Sequence, residues 1–160
     1  SMLAAGKSSR AEKPCENPIQ WVQSDAEQLG FAKKSFDAVI VGYGIRNLSD
    51  IAQGLREIHR VLIPGGKLVI MEFSIPQSRW IRILYHWYSF GIMPGFGRLI
   101  TGEAAPFIYL ADSIRKFFPP KKVQEIIASA GFIRVTCQPL SNGLVTVYSA
   151  IKQEHARTKK

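Results

Sequence analysis

The stretch from Arg60 to Ser74, RVLIPGGKLVIMEFS, restricts the possible folds of this chain most, because it reads as a helix end, a tight turn and a buried strand in direct succession. Upstream, Ile51, Leu55, Ile58 and Leu62 recur at the helical period while Gln53, Arg56, Glu57 and Arg60 fall on the opposite side, which predicts an amphipathic helix over Ile51 to Leu62. Pro64, Gly65 and Gly66 stop it: proline cannot continue the ladder, and glycines accept left-handed dihedrals, so the chain reverses within about four residues. Lys67 to Phe73 then reads as a strand. Its apolar run, Leu68 to Met71, does not alternate, which suits a strand covered on both faces in a parallel sheet, and so an α/β fold. In open sheets of this kind ligands sit beyond the carboxyl ends of the strands, so Glu72, Phe73 and Ser74 point towards a site. A strand end carrying a solvated acid fits the same residues equally well.

With 160 residues, 46% hydrophobic and 21% charged, the chain has the size and composition of one globular domain. The domain is expected over residues 1–153, with an insertion over about residues 75–118 and a basic tail, residues 154–160, that reads as a disordered end. The net charge of +9 is otherwise dispersed, so no nucleic-acid partner is expected, although an anionic membrane surface would suit it. Cys15 and Cys137 belong to no CxxC or Cys/His spacing, and His59, His86 and His155 are scattered. Neither a metal site nor a disulfide framework is expected, which is compatible with a reducing compartment. The first ten residues, SMLAAGKSSR, have no apolar core of signal-peptide length. The longest hydrophobic region, Trp80 to Ile100, holds Arg82, His86, Pro94, Arg98 and three glycines, so it should not span a bilayer.

In chain order, Met2 to Lys7 reads as a helix end, Ser8 to Pro18 as a polar loop, and Ile19 to Gln23 as a short strand ending at Ser24 and Asp25. A second apolar run, Ala38 to Val41, opens into Gly42, Tyr43, Gly44, Ile45, Arg46 and Asn47. The glycines let something large approach the backbone, and Arg46 and Asn47 supply donors there; a plain strand-to-helix turn capped by Ser49 or Asp50 is the competing reading. Trp80 to Tyr88 carries Ile81, Leu84, Tyr85 and Tyr88 at helical spacing, which is either core or a lid over an apolar ligand. Pro106 to Phe117 reads as a helix. Pro119 and Pro120 start another, whose buried face is Val123, Ile126, Ile127 and Ala130 and whose stop is Gly131. Phe132 to Gln138 and Leu144 to Ile151 form a hairpin about Asn142-Gly143.

Four pieces, SDAEQLGF at Ser24, SFDAVIVGYGIRN at Ser35, the Arg60 to Ser74 stretch, and YLADSI at Tyr109 followed by AGF ending at Phe132, lie in order over about 110 residues. Together they resemble the menaquinone/ubiquinone biosynthesis C-methyltransferase family of Class I S-adenosylmethionine-dependent methyltransferases. PGG and AGF mark methyltransferases broadly, whereas GIRN with EFS and YLxxSI is far more specific. Ile63, where the family usually has Lys or Arg, is a surface-loop departure.

The resemblance implies a Rossmann-like sheet, mostly parallel, ending in an antiparallel hairpin. It also implies that this chain lacks the family's first two strands and glycine-rich loop, because residues resembling Ser1-Met2-Leu3 follow the acid of the second strand. The implied reaction is C-methylation of a demethylated prenyl quinol, demethylmenaquinol or a methoxylated polyprenyl benzoquinol, by S-adenosyl-L-methionine, with this chain inactive alone. Asp25 and Ala26 would bind adenine, Gly42 would pass beneath the cofactor, and Arg46 and Asn47 would orient the quinol oxygens. Tyr109, Ser113 and Tyr88 would line the channel for the prenyl tail. The compartment implied is the cytoplasm, with peripheral attachment at the inner membrane face, or else the mitochondrial matrix. Self-association is expected from the exposed sheet edge. A methyltransferase of other specificity and a non-catalytic scaffold of the same fold are the competing readings. A long apolar channel between the insertion and the GIRN loop would disfavour the first.

Overall fold

The computed structural model describes residues 19–76, 78–87 and 105–154. Its elements are β1 (Phe36–Gly42), a 3-10 turn (Ile45–Asn47), α1 (Ile51–Val61), β2 (Leu62–Phe73), α2 (Arg79–Trp87), α3 (Ala105–Lys116), α4 (Pro120–Ser129), β3 (Phe132–Leu140) and β4 (Val145–Lys152). The strands form a four-stranded sheet in the order β1-β2-β4-β3. β1 and β2 are parallel; β4 runs antiparallel to both β2 and β3.

The helix and strand expected on either side of Pro64 are both present, but the turn between them is absorbed into β2. Phe36 pairs with Leu62 and Ala38 with Lys67, so the chain bulges at residues 63–66 without leaving the sheet. Gly65 sits there at φ +78°, and a Cβ on Gly66 would lie 2.8 Å from the Ile63 carbonyl oxygen and 3.2 Å from that of Asp37. Only glycine tolerates both demands. α1 starts at Asp50, whose carboxylate accepts the Gln53 N–H at 2.9 Å. At its other end, buried Lys152 donates from Nζ to the carbonyls of His59 at 2.6 Å and Leu62 at 2.7 Å, which places a cation on the negative end of the helix.

The core lies between one face of the sheet and α1 with α4. Leu55 and Ile58 of α1 and Val123 and Ile127 of α4 pack on Leu68, Ile70, Tyr148 and Ala150. Leu68, Ile70 and Glu72 are buried on that face, while Val69, Met71 and Phe73 are half-buried on the other. The apolar runs thus mark strands whose two faces are unequally covered. On β1 the difference is larger: Val39 and Val41 pack against the core, but Ile40 is 78% exposed.

The hairpin forms as expected, with Asn142 at φ 58° and Gly143 at φ 85° in the turn. Ser74 belongs to it. Its hydroxyl donates to the Gly143 carbonyl at 2.6 Å and lies 2.7 Å from the Thr146 hydroxyl, while its N–H donates to the Leu144 carbonyl at 3.0 Å. Ser74 therefore ties the hairpin to the end of β2 and does not face the cavity described below.

Two expectations are corrected. Ile19 to Gln23 is not a strand: β1 pairs only with β2 among the described residues, and nothing offers that segment a ladder. On α2, Ile81 and Tyr85 are half-buried, but Leu84 of the same expected stripe is 71% exposed. The expected elements at Met2 to Lys7, Ser8 to Pro18 and Gly91 to Gly102, and the tail from His155, lie outside the described residues, as does Tyr88.

Candidate active site

β1 delivers the chain into a loop held by an unusual backbone. Tyr43 adopts φ 55°, a left-handed conformation that costs a bulky residue about 1–3 kcal/mol and is found where surrounding contacts enforce it. Those contacts are visible: its N–H donates to the Met71 carbonyl at 2.8 Å, and its ring stacks on Phe73 with centroids 4.3 Å apart. The Tyr43 carbonyl in turn accepts from Arg46 Nη1 at 2.6 Å.

Arg46 is anchored on several sides. Nη1 also donates to Glu72 Oε1 at 2.7 Å, Nε donates to the Ser113 hydroxyl at 3.3 Å, and the guanidinium lies 5.5 Å from the Phe73 ring centroid. The side chains of Arg46 and Glu72 are 8% and 0% exposed, so this is a buried ion pair. Glu72 is not the solvated acid of the competing sequence reading. Its carboxylate also accepts the Phe73 N–H at 2.9 Å and the Arg46 N–H at 3.3 Å, satisfying the remaining lone pairs that make burial of a charge tolerable. Nη2 of Arg46 donates to no residue among those described. A guanidinium fixed through Nη1 and Nε with Nη2 unspent is equipped to donate to a ligand oxygen.

Arg46 lines a cavity of about 940 Å³ that lies between the 3-10 turn with the start of α1 on one side and α3 on the other. Ile51, Ile108, Phe117, Phe118 and Ile126 give it an apolar lining, with Asp112 and Lys116 as further polar groups. Tyr109 and Ser113, one helical turn apart on α3, both line it. The Tyr109 hydroxyl donates to Asn47 Oδ1 at 3.2 Å. The structure thus joins Arg46 to Ser113 and Asn47 to Tyr109, residues far apart in sequence.

Asp25, Ala26 and Gly42 are placed elsewhere. The segment from Ser24 to Phe31 is clamped onto α1: Glu57 accepts the Leu29 N–H at 2.9 Å, and Arg60 donates to the Phe31 and Leu29 carbonyls, each at 2.8 Å. Glu57 and Arg60 pair with each other at 2.8 Å, and this hydrogen bond holds the Glu57 carboxyl below its ordinary range. Glu27 accepts the Ser49 N–H at 2.6 Å and so ties the same segment to the start of α1. Asp25 is exposed, its Oδ1 accepting the Glu27 N–H at 2.9 Å in its own turn and no other donor among the described residues. At Gly42, the last residue of β1, a Cβ would meet nothing within 4 Å. Neither backbone strain nor protein packing requires glycine there.

Sequence reasoning missed the Glu72 to Arg46 pair and the clamp made by Glu57 and Arg60. A signal for the first existed, since β1 and β2 are parallel neighbours and the acid ending one lies beside the loop leaving the other. Among the described residues, no group of three or more His, Cys, Asp or Glu could hold a metal ion.

The family model of the ubiE/COQ5 methyltransferase family matches residues 1–152. The chain belongs to that family. It is 43% identical over 148 residues to the ubiquinone/menaquinone biosynthesis C-methyltransferase UbiE of Bradyrhizobium diazoefficiens, covering 92% of this chain and 58% of that protein. The protein of the same name from Xylella fastidiosa is 38% identical over 152 residues, with 95% and 60% covered. The chain therefore spans less than two thirds of the length of these relatives. Among solved structures, a SAM-dependent methyltransferase of Thermotoga maritima matches with a TM-score of 0.55 at 16% identity, covering 82% of this chain and 63% of that one. The cyclase SpnF matches with a TM-score of 0.60 at 15% identity, covering 95% and 60%. These likenesses show a Rossmann-like methyltransferase fold, and the presence of a cyclase among them shows that the fold alone does not decide the chemistry.

Proposed function

We propose that the whole protein to which this chain belongs transfers a methyl group from S-adenosyl-L-methionine to a ring carbon of a demethylated prenyl quinol. The observation that carries this reading is the cavity beside α3, with a continuous apolar part to its lining and bearing Arg46, whose Nη2 is unspent among the described residues. Such a site suits a ligand with a polar ring and a long apolar tail. Asp25, Ala26 and Gly42 fit the cofactor: an exposed carboxylate, a segment clamped in place, and a glycine with open space where a side chain would stand. Bound there, the cofactor would supply an electrophilic methyl group on its sulfonium.

The ring carbon becomes nucleophilic as a phenolic proton is removed or shared, so charge grows on the ring oxygen. Arg46 remains protonated and acts electrostatically, its Nη2 donors stabilising that oxygen, while Asn47 and Tyr109 orient the ring. Glu72 and Ser113 hold the guanidinium so that little reorganisation is needed as charge develops. Arginine cannot serve as a base, so in this reading water takes the phenolic proton; once the ring carbon has gained the methyl group it loses its own proton and the ring oxygen regains one, a net release of one proton.

The test is turnover of the whole protein with a short-chain demethylmenaquinol and with the corresponding methoxylated benzoquinol, read as the mass gain of one methylene on the ring. Methylation of either quinol supports the reading and names its ring. Tight cofactor binding with methylation of neither would sink it in favour of another acceptor.

A further inference from the structure

We propose that α2 is a membrane-docking helix whose outward face, Trp80, Ile83, Leu84 and Trp87, inserts into the headgroup region of an anionic bilayer. At the helical angle of about 100° per residue these four side chains share one arc of roughly 100°. Trp80 is 81% exposed, Leu84 71%, Trp87 71% and Ile83 45%. Ile81 and Tyr85, half-buried, lie on the opposite side. The helix therefore turns its larger apolar face outward, the reverse of the usual arrangement. Single exposed apolar side chains are ordinary, but two indoles and two aliphatics on one arc form a patch that marks an interaction surface.

Charge selects the occupant. Arg79 is exposed on one flank of the arc, α2 contains no acidic residue, and the whole chain carries +9. A second copy would bring positive charge against positive charge, whereas an anionic lipid surface complements Arg79 and lets its stem lie along the apolar face. With nine residues the helix is too short to cross a bilayer, and no described helix is long and apolar enough to do so. Tryptophan at its centre and arginine at its margin suit a helix lying in the plane of the interface.

The position of α2 gives docking a purpose, and this step alone rests on the proposed function. Only five residues separate Phe73, which lies beside Arg46, from Arg79, six Cα steps and so a reach of about 20 Å. A docked α2 therefore keeps the cavity close to the phase in which a prenylated quinol dissolves.

The chain has three tryptophans, so Trp21→Phe leaves Trp80 and Trp87 as the only indole reporters. The 160-residue chain carrying this change is mixed with vesicles of phosphatidylcholine containing about 30% phosphatidylglycerol, at about 0.1 M salt, where the screening length is about 10 Å. Expected are a blue shift of tryptophan emission, quenching by brominated acyl chains, and co-sedimentation that falls as salt rises. Replacing Trp80, Leu84 and Trp87 together by serine should weaken partitioning at least about tenfold, since each large side chain contributes substantially when buried. Emission that neither shifts nor is quenched overturns the proposal, as does equal sedimentation of the triple variant. A shift that appears without vesicles and grows with protein concentration overturns it in favour of a second copy. None of these readouts needs cofactor or quinol, so failure of docking and failure of the proposed reaction are separately visible.

Discussion

Glu72 accepts from Arg46 across 2.7 Å in a pair where neither side chain is appreciably exposed, and both Glu72 oxygens carry further N–H partners. Removing one member of a buried pair strands the other and costs about 3–5 kcal/mol, so Arg46→Ala should lose stability as well as turnover. Glu72→Gln keeps the shape and one acceptor oxygen while removing the counter-charge of the buried guanidinium, so its unfolding is measured beside its turnover. If Glu72 positions Arg46, kcat should fall by tenfold or more with the Kd for S-adenosylmethionine nearly unchanged. Unchanged kcat would show that Ser113 and Tyr43 position the guanidinium without it.

A second expectation separates cofactor contact from packing at Gly42. Because an added Cβ meets nothing within 4 Å, Gly42→Ala should leave the melting temperature where it is. Its backbone has ordinary dihedrals, so no strain enters either. If the cofactor lies over this residue in the whole protein, the same methyl group should weaken S-adenosylmethionine binding several-fold in titration calorimetry. Unchanged affinity would move the cofactor away from Gly42.

How far this was legible in the sequence depended on whether the cause was local. α1, β2 and the hairpin were readable because Asp50, Pro64 with its glycines, and Asn142-Gly143 act through near neighbours in the chain. The strand expected at Ile19 was not, since a strand exists only with a ladder partner and that partner cannot be read from the segment itself. Exposure of Ile40 and Leu84 escaped for the same reason: periodicity says which residues share a face, not what covers it. In the site, Arg46 and Asn47 are legible as donors in a glycine-bearing loop, their role and the choice of Tyr109 and Ser113 come through resemblance, and the structure adds the Arg46–Ser113 and Tyr109–Asn47 hydrogen bonds. Glu72 was noticed as an acid at a strand end, but its role depends on the parallel pairing of β1 with β2.

Ser74 offers a control within the EFS motif. It is buried, and its hydroxyl bridges the Gly143 carbonyl and the Thr146 hydroxyl. Ser74→Ala leaves two buried polar groups short of a partner and should destabilise the fold by about 1–3 kcal/mol in urea unfolding. Below the melting transition kcat should remain near the parent value, because Ser74 faces the hairpin. A large fall in kcat with full stability would return Ser74 to the site.

The last expectation concerns the open side of β1. Among the described residues this strand pairs only with β2, and Ile40 on it is 78% exposed while its neighbours Val39 and Val41 pack inward. An edge that presents unpaired N–H and C=O groups together with a large apolar side chain invites another chain, and sheets ordinarily guard such edges with charge or proline. The 160-residue chain expressed by itself should therefore self-associate. Light scattering should show a mass above that of one chain, rising with concentration, and Ile40→Lys should shift it towards the monomer by placing a charge on the strand without touching the core. If the parent chain is monomeric at high concentration, the edge of β1 is covered by residues outside those described. If Ile40→Lys leaves the association unchanged, chains meet elsewhere, and the α2 face with Trp80 and Trp87 becomes the next surface to substitute.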